Sequence, residues 1–114
     1  MKHIKIANIT YAFNVEDNLT TPDGEAAYGN ISHSNQSILL SSQFPSKQKR
    51  DEVLLHEIFH GVIDLYGIDK LIPQDNGEAV VELLARGMMQ VFQDNSELVK
   101  ELFNVKATRS IQRR

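Results

Sequence analysis

From His3 to Phe13 the apolar residues Ile4, Ile6, Ile9, Tyr11 and Phe13 recur at nearly every second position, with one slip. That period predicts a half-buried strand carrying a bulge. The stretch from Glu16 to Gly24 holds Asn18, Pro22, Asp23 and Gly24 and reads as a loop, because these residues supply the backbone angles of turns. Two further short strands, Ala26 to Ser32 and Gln36 to Ser42, flank the polar turn His33-Ser34-Asn35. The expected sheet is three-stranded and mostly antiparallel.

Past Pro45 the period changes from two to that of a helix. Ser46 is placed as the N-cap of a helix from Lys47 to Tyr66, and Gly67 as its C′ stop. On this helix Leu54, Leu55, Ile58, Phe59, Val62, Ile63, Leu65 and Tyr66 cover one broad face, while His56, Glu57, His60 and Asp64 fall along the opposite edge. A loop from Ile68 to Asn76 leads to a second helix, from Gly77 to about Gln93, and Glu97 to Phe103 forms a last short one. The fold class read from this order is α+β, with the sheet packed on the first helix and the second helix beside it. Residues 1–105 are read as one domain, and Lys106 to Arg114 as a basic, flexible tail.

Composition narrows the chemistry. A chain of 114 residues suits one hydrophobic core, and 41% apolar with 24% charged residues is ordinary for a globular domain. The formal net charge of -3 argues against a nucleic-acid partner, which would need a clustered basic excess. No stretch resembles a signal peptide or a membrane span, so the expected location is cytoplasmic, with no membrane partner. Cysteine is absent, which removes disulfides, thiolate zinc clusters and cysteine nucleophiles together. A metal would have to be held by histidine and carboxylate.

Those residue types occur at a telling spacing in Leu55-His56-Glu57-Ile58-Phe59-His60, an H-E-x-x-H motif. Residues four apart on a helix lie one above the other, so both imidazoles can point at a single cation. Glu57, a fraction of a turn away, can act as general base toward a zinc-activated water, which the metal acidifies to a pKa of about 7. Zn2+ is therefore the expected cofactor, with His56 and His60 as ligands.

A catalytic zinc takes a third protein ligand. Asp64 is one turn too far along the same helix to join His56 and His60, since each four-residue step climbs about 6 Å; it is read either as an acceptor for an imidazole N–H or as a solvated charge. On the second helix Glu82 has an i, i+4 ion-pair partner in Arg86 on the outer face, whereas Glu78 borders the apolar face that meets the first helix. Glu78 is preferred as the third ligand over Glu82. His3 and His33 are taken as surface histidines, and Met88 and Met89 as core filler. Tyr28 and Tyr66 are weighed as donors to a developing oxyanion against simple packing. The strand from Gln36 to Ser42 is a candidate edge for pairing with an extended peptide.

The order of strand, Tyr-Gly-Asn-Ile-Ser hairpin, short strand, Leu-Leu-His-Glu-Ile-Phe-His helix and acidic opening of a second helix resembles the small gluzincin-type zinc peptidases of bacteria and phages, related to the ImmA/IrrE-like group. The resemblance spans roughly residues 25–100 and implies a minimal zincin fold. It implies His56 and His60 as ligands, Glu57 as catalytic acid and base, and an acidic ligand from the second helix. Members of the wider group cleave regulatory repressor proteins, which implies a protein or peptide substrate and a zinc metalloendopeptidase. The larger members carry an added helix-turn-helix or sensor domain, for which this chain has no room. The alternative reading is a catalytically silent protein of the same fold, phage-encoded, that binds a partner and uses its metal for stability.

Overall fold

A computed structural model describes residues 2–103. The tail expected at residues 106–114 lies outside the described residues. The elements are β1 (His3–Ile6), β2 (Ile9–Glu16), β3 (Gly29–Ser32), β4 (Ser37–Ser41), α1 (Lys47–Leu65), α2 (Gly77–Asp94) and α3 (Ser96–Phe103), with two short 3₁₀ turns between α1 and α2. The architecture is α+β. No described helix is long and apolar enough to cross a membrane.

The sheet departs from the expected one in two respects. It has four strands, in the order β1-β2-β4-β3, and it is mixed, because β2 and β4 run parallel. The slip at Ala7-Asn8 is not a bulge but a reversal of the chain. Both residues have positive φ, 48° and 70°, and Ile6 pairs with Ile9 across them, so the first apolar stretch is a hairpin closed by a two-residue turn. The parallel pair follows from the long loop after β2. That loop carries the chain past one strand's width to place β3 at the edge, and the turn at residues 33–36 then returns β4 antiparallel to β3, into the gap beside β2.

Alternation within this sheet builds the core. Tyr11 and Phe13 of β2 and Ile38 and Leu40 of β4 point to the same side and are almost fully buried, together with Ile6 of β1. Val53, Leu54, Ile58, Val62 and Leu65 lay the apolar face of α1 over them. Ser46 caps α1 as expected, its side chain accepting a hydrogen bond from the Lys49 N–H, and Gly67 just beyond the helix adopts φ 72°. Gly61 sets the closeness of the contact between α1 and the sheet. A Cβ there would stand 2.7 Å from Ile6 Cδ1 and 3.2 Å from Ile31 Cδ1. The second helix packs against α1 through Val81 and Ala85, both buried. Met88 and Met89 are half-buried on that helix rather than central to the core.

Candidate metal centre

With one face of α1 committed to the sheet, the edge bearing His56 and His60 is left to face the start of α2. The two Nε2 atoms lie 3.2 Å apart. Glu78, in the first turn of α2, reaches both: its Oε1 is 2.8 Å from His56 Nε2 and its Oε2 is 3.2 Å from His60 Nε2. His56, His60 and Glu78 thus offer ligand atoms that all lie within 4.8 Å of one another.

Two of these three separations fit a small divalent ion, the 2.8 Å between His56 and Glu78 being a hydrogen-bond length. Tetrahedral bonds of about 2.0–2.1 Å hold neighbouring donor atoms about 3.3 Å apart, close to the spacings between the two imidazoles and between His60 and Glu78. Two nitrogens and a carboxylate also match the ligand types expected when cysteine is absent. The carboxylate remains largely exposed, which leaves one side of the cluster open.

Glu57 stands apart from this cluster in its surroundings. It is 8% exposed, the buried charged residue among an otherwise apolar set. Burial pushes its carboxyl pKa up to about 7, with His60 pulling it down and the Glu78 carboxylate pushing it up. A carboxyl tuned to that range can take and return a proton near neutral pH. The space beside it depends on Gly29 of β3. A Cβ at that position would lie 3.1 Å from Glu57 Oε2 and 2.8 Å from Val53 Cγ1. The Tyr-Gly pair ahead of the hairpin therefore has a steric reason that lies in the site, not in the turn.

Two cavities open onto the cluster. One, of about 290 Å³, is lined by His56, Glu57, Glu78 and Glu82, with Tyr28 and Lys49 at its rim. The other, of about 360 Å³, joins His56, Glu57, His60 and Glu78 to Gly29 and His33. A larger open cavity of about 750 Å³ lies beyond Tyr28 and Phe44, whose rings stack with centroids 5.0 Å apart.

The remaining sequence candidates are sorted by these surroundings. Glu82 pairs with Arg86 at 3.0 Å, as its spacing implied, and stays out of the three-residue cluster. Tyr28 borders the site, whereas Tyr66 is exposed and lines neither cavity. His3 is exposed at the start of β1. Asp64 is exposed, as a solvated charge would be, and the imidazole its carboxylate approaches, at 3.7 Å from Nδ1, is that of His33 rather than one of the helix motif. His33 itself is more than a surface histidine, since it lines the cavity and is hydrogen-bonded to Tyr11. Its partners lie 22 and 31 positions away, and no spacing in the sequence relates them. The strand from Gln36 to Ser42 is not an edge: β4 is paired on both sides, and β3 is the edge strand beside the site.

No protein-family model, no curated protein and no solved structure matches this chain, so its reading rests on its own residues and their geometry.

Proposed function

We propose that this protein is a zinc-dependent metalloendopeptidase of minimal zincin type, with His56, His60 and Glu78 as ligands and Glu57 as general base. One observation carries the reading: a buried carboxyl with a pKa of about 7 borders a His-His-Glu cluster whose donor spacing suits a single divalent ion. Bound there, zinc would supply Lewis-acid polarisation of a carbonyl and acidification of water. Glu57 removes a proton from the attacking water and delivers it to the departing amine nitrogen, so the group is ready for another cycle. The proposed substrate is an extended peptide segment of a protein. The outer edge of β3, unpaired among the described strands, can hydrogen-bond such a segment alongside the cavity. By resemblance to the ImmA/IrrE-like group, a regulatory protein of bacterial or phage origin is the proposed class of target.

The test is elemental analysis of protein purified without a histidine tag, coupled to cleavage of an unfolded reporter such as fluorescently labelled casein. The expected result is about one zinc per wild-type chain, lost in His56→Ala, weakened in Glu78→Ala and retained in Glu57→Gln, with cleavage abolished in all three. Wild-type protein that takes up no metal after zinc is added back would refute the reading.

A further inference from the structure

His33 projects from the β3–β4 turn into the cavity that holds His56, Glu57, His60 and Glu78. Its ring is fixed from behind. Nδ1 is 3.3 Å from the hydroxyl of Tyr11, the two rings meet edge-on, and the Asp64 carboxylate stands 3.7 Å from the same nitrogen. Tyr11 is 1% exposed, and His33 is the hydrogen-bond partner of its hydroxyl among the described residues. A buried hydroxyl with one partner uses its hydrogen on that partner, because leaving the donor unmade costs more than the bond itself returns. Burial and the nearby Asp64 charge both raise the Tyr11 pKa, which keeps that hydrogen in place.

The consequence falls on the other ring nitrogen. With Nδ1 accepting from Tyr11, the neutral ring carries its proton on Nε2, and a protonated ring carries one there as well. In either state Nε2 is a donor, and among the described residues it has no hydrogen-bond partner. The other titratable side chains lining the cavity are the two ligand histidines and two acids, Glu57 and Glu78, so the side-chain N–H donors outside the cluster are His33 and the exposed amide of Asn30, and of these His33 is the one held by a hydrogen bond from behind.

We propose that His33 is a catalytic residue whose Nε2–H donates a hydrogen bond to the substrate carbonyl oxygen as negative charge develops on it. Tyr11, whose hydroxyl donates to Nδ1, is its positioning residue. This rests on the peptidase reading above. Alternatively, the same contacts could serve only to tie the β3–β4 turn to α1, and the experiment separates the two roles.

The full chain is loaded with Co2+, whose visible absorption reports binding at the His-His-Glu cluster, and is then titrated with N-phosphoryl-leucinamide, a tetrahedral anionic probe. The expected result is that His33→Ala weakens probe binding by about 10- to 100-fold, the range for a hydrogen bond to a charged group, while cobalt affinity stays at the wild-type value. Tyr11→Phe weakens it by a smaller factor. His33→Gln is measured alongside as a second variant, because its side chain can still hold the turn. Equal probe affinity in wild type and His33→Ala overturns the proposal, as does cobalt-loaded wild type that binds no probe. Loss of cobalt affinity in both His33 variants would make the residue structural and also overturn it. Wild type that binds no cobalt refutes the peptidase reading instead, and His33 loses its catalytic role with it.

Discussion

Glu57→Gln should make the metal-free protein more stable, and by an amount that depends on pH. The Glu57 carboxyl has a pKa of about 7 in the folded chain against 4.5 when free, because burial penalises its charge. The folded state therefore holds a proton that the unfolded state has released, and between these two values stability falls as pH rises. Gln has nearly the same shape and no charge to bury. The difference of about 2.5 pKa units corresponds to about 3 kcal/mol, fully expressed above pH 7 and reduced to under about 1 kcal/mol at pH 5. Urea unfolding of both proteins in the presence of a chelator, followed by far-UV circular dichroism at pH 5 and pH 8, measures the gap directly. An advantage for Glu57→Gln that is absent at pH 8, or equal at the two pH values, would refute the argument that burial perturbs this group. The expected result also links the site to its cost: the acid–base group lowers stability at the pH where it can work.

Other substitutions test the close approaches and turns that shape the site. Gly29→Ala should destabilise by about 1–3 kcal/mol and weaken metal binding, because the added methyl meets the stiff Val53 side chain at 2.8 Å and crowds Glu57; thermal melts with and without zinc check both effects. Gly61→Ala should cost less than about 1 kcal/mol in the same melts, since its nearest neighbours are the mobile Cδ1 tips of Ile6 and Ile31 and alanine favours the helix interior by a comparable amount. Ala7→Gly should stabilise by about 0.5–1 kcal/mol in urea titrations, because Ala7 occupies φ 48° in the β1–β2 turn, a conformation glycine adopts without strain. Unchanged stability in Ala7→Gly would mean that the hairpin turn is not held in that conformation.

Local chemistry made much of this protein legible in advance. The helix from Lys47, its Ser46 cap and its Gly67 stop are written in short-range preferences, and the i, i+4 spacing alone puts His56 and His60 on one line. Glu78 was reachable too, because the apolar face of the second helix had to meet the first and Glu78 borders it. The first hairpin was not. The positions on either side of Ala7-Asn8 keep nearly the same alternation, so a reversal and a bulge leave almost the same trace in the sequence.

Sequence by itself determined the helical periods, the Ser46 cap and the donor set: where the helices run, and that any metal must be held by nitrogen and oxygen. Tertiary structure decided the strand order, the burial of Glu57 behind Gly29, and the meeting of Tyr11, His33 and Asp64 at the rim of the cavity. The reason is range. Periodicity and capping act over three or four residues, whereas the shift of a carboxyl pKa and the fixing of an imidazole depend on groups brought within a few ångströms by packing between segments distant along the chain.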